Sequence, residues 1–167
     1  MDMEMVEWIM GCIQSTSFIG LINGSPSAFF RPTRGIRRGF PLSPFIFLLV
    51  VDALSRLILK ENRESKFEGV KVSSEEEVTH TLFVDDVLLF GVGTKENLKE
   101  FVALIEKYKK ATGMLVNIDK YMLVHNEFSA KLIQQSKEIL SYPTNPMSHG
   151  FKYLGFFLKP NSYGFQD

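Results

Sequence analysis

Asp85 and Asp86 stand side by side between two β-prone apolar runs, Thr79 to Val84 and Val87 to Phe90. Adjacent side chains on a regular strand point to opposite faces, whereas at a tight turn both can reach one site. Two carboxylates this close raise each other's pKa unless a cation neutralises them, and a hard, oxygen-seeking ion such as magnesium suits them. Aspartate is also a favoured turn residue for backbone reasons, and taken alone the pair reads first as an ordinary solvated turn.

A second candidate runs from Thr33 to Pro44. Gly35 and Gly39 permit close backbone approach, Arg34, Arg37 and Arg38 supply forks that match phosphate, and the segment ends on a helix N-terminus that favours anions. It could hold a triphosphate or a nucleic-acid backbone, and a basic surface loop that merely starts the next helix has the same composition. Lys120, just beyond the run Gly113 to Asp119, could act on a phosphate, although a lone lysine is usually a solvated charge. His80, His125 and His149 show no spacing for a shared metal. Asp52 reads as a hydrogen-bonded helix residue or one facing a polar groove, and Phe29 and Phe30, which could stack on bases, read first as core residues at a hairpin end.

The elements that must position these groups follow from turn and cap signals. Residues 5 to 16 predict a short helix; Phe18 to Ile22, the pair Asn23-Gly24 and Ala28 to Phe30 predict a β-hairpin. Ser43 as N-cap and Pro44 in the first turn open a largely apolar helix to about Asn62. A second hairpin carries Asp85 and Asp86 at its tip. Thr94 caps a helix with the apolar stripe Leu98, Phe101, Val102, Ile105 and Tyr108, stopped by Gly113. Met114 to Ile118 and Tyr121 to His125 read as extended, Ser129 caps a helix to about Leu140, and Pro143 and Pro146 punctuate a loop before the extended run Phe151 to Leu158. Mixed helices and mostly antiparallel strands make the class α+β.

Composition bounds the rest. The 167 residues, 45% hydrophobic, suit a single domain with a real core. Lysine plus arginine equals aspartate plus glutamate, 19 against 19, so net charge favours no polyanion. Distribution does: no acidic residue lies between Trp8 and Val51, while Arg31, Arg34, Arg37 and Arg38 cluster there. One cysteine, Cys12, excludes a disulfide framework and a Cys-rich zinc site, as expected inside a cell. The acidic N-terminal stretch is unlike a secretory signal, and the longest apolar run, from Phe45, falls short of a membrane span.

Taken in order, these pieces resemble the reverse transcriptases of non-LTR (LINE-type) retrotransposons, especially those of plants. Leu21 to Pro26 with Phe29-Phe30 is similar to that family's hairpin, and Arg34 to Gly39 with Pro41 to Pro44 to its motif B loop and helix. Phe83-Val84-Asp85-Asp86 resembles motif C, Gly113 through Asn117 to Lys120 motif D, and Tyr153-Leu154-Gly155 the primer-grip hairpin, motif E. The likeness spans roughly residues 8 to 159, and five motifs in order are far more specific than any one.

The resemblance implies a palm-like antiparallel sheet with packed helices, a fragment of a right-hand reverse transcriptase in which residues 1–167 form a single partial domain. It implies RNA-directed DNA polymerisation, with a primer 3′-hydroxyl attacking a deoxynucleoside triphosphate between two Mg2+ ions on an RNA template. Asp85 would be a metal ligand with Asp86 beside it, Lys120 would approach the triphosphate, and Arg34, Arg37, Arg38, Gly39, Phe40 and Pro41 would line the nucleotide and template pocket. Tyr153, Leu154 and Gly155 would support the primer. Departures stand at Arg38, where the family usually has glutamine, and at Phe40, where it has an acidic residue; Val84 and Tyr121 are milder changes. Motif A, with the first catalytic aspartate, should precede the hairpin at residues 18 to 30, and Asp2 lacks its context. The expectation is a chain truncated before motif A and inactive as this fragment, with a non-catalytic nucleic-acid-binding remnant or a pseudogene product as the alternatives.

Overall fold

The computed structural model describes residues 2–31, 39–115, 117, 120–140 and 142–160. The expectations for Arg34, Arg37 and Arg38 therefore lie outside the described residues, as does most of the predicted strand Met114 to Ile118 beyond Leu115. Two compact units, Met1–Leu49 and Val50–Asp167, divide the chain within its longest helix.

In the first unit, helix α1 (Met3–Gln14) follows Asp2 in extended conformation and buries none of its residues. Strands β1 (Leu21–Ile22) and β2 (Ser25–Pro26) pair antiparallel around Asn23 and Gly24, whose φ values of 50° and 81° fit the hairpin turn that matches strand twist. The hairpin continues outward: Ser27 N–H donates to the Gly20 carbonyl at 2.7 Å, and Phe18 and Phe30 exchange both backbone hydrogen bonds at 2.9 Å. Helix α2 (Ser43–Arg63) then begins, with Ser43 already inside the helix rather than capping it. Pro44 is tolerated there because first-turn N–H groups have no helical acceptor.

The second unit holds the core. Leu54 and Ile58 of α2 pack with Phe67 and Leu104, and Leu57, Leu82, Val87, Leu89, Phe101, Ile105 and Tyr108 close around them. Strands β3 (Val70–Lys71) and β4 (Glu77–Val78) form a short hairpin within a stretch that sequence patterning leaves as polar loop. Strands β5 (His80–Phe83) and β6 (Asp86–Leu89) pair antiparallel, placing His80, Leu82, Val87 and Leu89 on one face. That face is the one turned to the core, since Leu82, Val87 and Leu89 all join it.

Helix α3 (Lys95–Thr112) is bounded as its sequence dictates. Thr94 accepts a hydrogen bond from Asn97 N–H at 3.2 Å, and Gly113 ends the helix at φ 68°. Asn97, polar and on a helix, is nevertheless buried: its side chain accepts from Glu68 N–H and donates to the carbonyls of Glu68 and Val92. It ties the start of α3 to the chain on both sides of the β5–β6 hairpin, satisfying groups that burial would otherwise leave costly.

Strand β7 (Leu123–His125) leads to helix α4 (Ala130–Ile139), whose N-cap Ser129 accepts from Leu132 N–H at 3.3 Å. Strand β8 (Thr144–Pro146) returns parallel to β7, as a helical crossover permits, and Pro143 and Pro146 flank or end this strand where no ladder donor is needed. Strands β9 (Phe151–Tyr153) and β10 (Phe156–Leu158) make a final hairpin, so the extended run expected there folds back on itself. Its turn residues Leu154 and Gly155 have φ values of 51° and 83°.

Helices and small, mostly antiparallel ladders thus make an α+β chain. Among the described residues the strands pair two by two in five separate ladders, two to four residues long, each closed by its own turn or crossover.

One ionic cluster supports the second unit. The Glu61 side chain is buried and accepts from Lys107 Nζ at 2.7 Å and from Lys66 Nζ. Those hydrogen bonds, Lys107 first, outweigh desolvation and hold its pKa down at about 2, so it stays ionised at neutral pH. Sequence patterning shows no sign of this triad: Lys66 reaches Glu61 from the segment just after α2, and Lys107 joins them only because α3 meets α2.

Candidate functional site

The two carboxylates sit at the tip of the β5–β6 hairpin, displaced by one residue from the symmetric placement expected. Phe83 pairs with Asp86, so the two turn residues are Val84 and Asp85, and Asp86 is the first residue of β6. Both aspartates are exposed. Asp86 shares the ladder face of Phe83, opposite the core face of Leu82 and Val87, while Asp85 projects from the turn itself. Among the described residues neither carboxylate has a hydrogen-bond or ion-pair partner.

Val84 has φ 53°, in the left-handed region that β-branched residues avoid. A positive φ at the first position of a two-residue hairpin turn is normally met by glycine. Strain of this kind costs roughly 1–3 kcal/mol and gathers at functional sites. Val84 is 65% exposed, so packing does little to repay the cost. Val84→Gly should therefore raise stability by about 1 kcal/mol, part of the relieved strain being offset by glycine's greater unfolded-state freedom. Urea denaturation reads this directly, and a destabilised variant would show that the turn is not strained.

Two neighbours anchor the hairpin from its far end. His80 Nε2 lies 2.8 Å from Ser55 Oγ of α2, and its Nδ1 lies 2.9 Å from Thr79 Oγ1. Burial pushes the His80 pKa down, which favours the neutral ring, one nitrogen donating and the other accepting. Sequence reasoning set His80 aside as a possible ligand, and its place here is structural: it fixes β5 to α2.

Each of the other sequence-derived residues that the structure describes has its own surroundings. Lys120 is exposed, and its N–H donates to the Asn117 carbonyl at 3.1 Å. Beside it Tyr121 packs on Tyr142 with ring centroids 5.3 Å apart, and burial raises the Tyr121 pKa. Tyr153 ends β9 opposite Phe156, and Leu154 and Gly155 form the turn. Gly39 has φ 75°, Phe40 accepts from Ser43 N–H at 3.0 Å through its carbonyl, and Pro41 is exposed. Among the described residues no hydrogen bond or ion pair joins Asp85 or Asp86 to Lys120 or to the Tyr153 to Gly155 turn.

Two exposed, unpaired carboxylates offer hard oxygens, and that donor chemistry fits a divalent cation. They are too few to complete a site: among the described residues no group of three or more His, Cys, Asp or Glu side chains is placed to hold a metal ion. Also among the described residues, no helix is long and apolar enough to cross a membrane.

Comparison with known proteins places this geometry in context. Residues 2–158 match the family model for reverse transcriptase (RNA-dependent DNA polymerase). An uncharacterized mitochondrial protein of Arabidopsis thaliana is 39% identical over 67 residues, which cover 40% of this chain and 55% of that protein. The retrovirus-related Pol polyprotein from type-2 retrotransposable element R2DM of Drosophila melanogaster is 33% identical over 103 residues, 61% of this chain and 9% of that protein. The corresponding polyprotein from type-1 retrotransposable element R2 of Nasonia vitripennis is 29% identical over 114 residues, 68% of this chain and 10% of that protein. The matched region thus amounts to about half of the first relative and about a tenth of each of the other two.

Proposed function

The chain belongs to the reverse transcriptase family, with its likeness running to non-LTR retrotransposons, and from that premise we propose that residues 1–167 are the motif B to motif E part of a polymerase domain. The activity of the whole domain is then RNA-directed DNA synthesis. The observation that carries this reading is the exposed, unpaired carboxylate pair at a hairpin tip, Asp85 in its strained turn and Asp86 beginning the next strand, at the position of the motif C likeness.

In this reading Asp85 is the metal ligand and Asp86 its neighbour, and Mg2+ is the ion that their hard oxygens and the triphosphate would share. Such an ion, when bound, would stabilise charge on the entering and leaving oxygens of the displacement. The remaining roles belong to the chain. Arg34, Arg37, Arg38, Gly39, Phe40 and Pro41 line the nucleotide and template pocket, Lys120 approaches the triphosphate, and Tyr153, Leu154 and Gly155 support the primer end. The substrates are deoxynucleoside triphosphates, a DNA primer and an RNA template, which sets the chain inside the cell. A palm-like sheet would form from the β5–β6 hairpin together with strands contributed by the rest of the domain.

A second reading is favoured by one specific observation, that among the described residues no third carboxylate joins the two at the tip: the chain binds nucleic acid without catalysis. Both readings require phosphate contacts, and salt tests them. Binding of a labelled RNA–DNA primer-template should weaken steeply with salt, and Arg37→Ala with Arg38→Ala should reduce the slope of log K against log[salt] by about 2, one unit per lost phosphate contact. An unchanged slope would remove the arginine run from the interface.

A further inference from the structure

The hairpin before the arginine run carries two rings that the carboxylate site does not use. Phe29 is 75% exposed and Phe30 55% exposed. Phe30 is nevertheless held in place, since it exchanges both backbone hydrogen bonds with Phe18 at 2.9 Å. Their rings stack with centroids 5.9 Å apart and planes 28° from parallel. A ring fixed on one side and open elsewhere loses little entropy when a planar partner stacks on it. Adjacent extended residues face opposite ways, so Phe29 offers a separate surface.

Charge decides what kind of partner fits. An apolar protein surface would be served as well by neighbouring Leu21 and Ile22, which are also exposed, and would gain nothing from cations. The chain instead follows the rings with Arg31, exposed and next in sequence, then Arg34, Arg37 and Arg38, with no acidic residue between Trp8 and Val51. Aromatic faces followed in sequence by arginines, with no acidic residue in the same stretch, suit an unpaired nucleic-acid strand, bases on the rings and phosphates on the cations. We propose that Phe29 and Phe30 form a stacking platform for single-stranded nucleic acid, with Arg31 meeting its backbone. The inference rests on the polymerase reading, in which an unpaired template strand must run beside the nucleotide site.

The test measures binding of the full chain to labelled oligo(U) and, in parallel, to an RNA duplex that offers no free base faces. Phe29→Leu and Phe30→Leu keep apolar bulk and remove the π-face; Phe30→Tyr keeps it. Each leucine variant should weaken single-strand binding by about fivefold or more, Phe30→Tyr should bind like the parent, and duplex binding should not change. Phe29→Leu alters a mostly exposed side chain, so it carries the test alone if Phe30→Leu fails to fold. Leucine variants that bind oligo(U) as tightly as the parent, with duplex binding intact, would overturn the platform alone. Equal losses on single strand and duplex would overturn it too. A parent chain that binds neither form would overturn the platform and the polymerase reading together.

Discussion

Primer extension on an RNA template with magnesium should be at least about a thousandfold slower for this chain than for the same chain joined to a segment carrying the family's motif A aspartate. The reason is geometric. Asp85 and Asp86 reach the site from one hairpin tip, as neighbours across a single peptide bond, and they are the only carboxylates the chain's motif likeness brings there. A hard cation that must hold nearly octahedral coordination while contacting primer and triphosphate oxygens needs a further carboxylate from another element. A group acting on transition-state charge is worth several kcal/mol, and each ~1.4 kcal/mol is tenfold in rate. Robust extension by the 167 residues alone, abolished by Asp85→Ala, would refute this argument. Activity that appears only in the joined protein would support it, and would also show that Arg38 and Phe40 are tolerated where the family has other residues.

Ile58→Ala should cost about 3–4 kcal/mol, the largest effect expected of any single truncation in the described core. Ile58 is 0% exposed and is surrounded by Leu54, Phe67 and Leu104, three buried residues drawn from α2, the segment after it, and α3. Those elements are fixed on other grounds, by the Asn97 hydrogen bonds and by the Glu61 ion pairs, so the site cannot collapse freely around the smaller side chain. A chemical-denaturation midpoint should fall by on the order of 2 M urea. Val72→Ala, at a mostly exposed position, should shift stability by no more than about 0.5 kcal/mol. Loss of less than about 1 kcal/mol at Ile58 would mean that this cluster does not hold the unit together.

Local chemistry made much of the fold legible. Asn23-Gly24 fixed the first hairpin because few pairs accept two positive φ values, and Thr94, Gly113 and Ser129 marked helix ends through caps that depend on one residue each. The carboxylate tip was visible for the same reason, yet its register was off by one. Asp-Asp is better turn chemistry than Val-Asp, and the sequence does not reveal that Val84 accepts strain. What stayed hidden is nonlocal. The β7–β8 pairing joins residues across α4, and Pro143 and Pro146 read as breakers although they end an edge. Asn97 and Glu61 look like surface residues of amphipathic helices, and only tertiary partners explain their burial. The β3–β4 hairpin escaped because its strands are two residues long and its loop, Val72 to Glu76, is mostly serine and glutamate. Of the candidate site, the family likeness named the residues, and the structure adds the exposure and unpaired state of Asp85 and Asp86.

Whether Asp85 ligates the catalytic ion is measured most directly by exchanging its carboxylate oxygen for sulfur. In the joined protein, Asp85→Cys should extend a primer no faster than Asp85→Ala when magnesium is the ion, because a thiolate is a poor ligand for a hard cation. Manganese or cadmium, which accept sulfur more readily, should restore a measurable part of the rate to Asp85→Cys and none to Asp85→Ala. Extension by Asp85→Cys at the parent's rate with magnesium, or recovery by the softer ions in both variants alike, would contradict the claim that this side chain holds the metal.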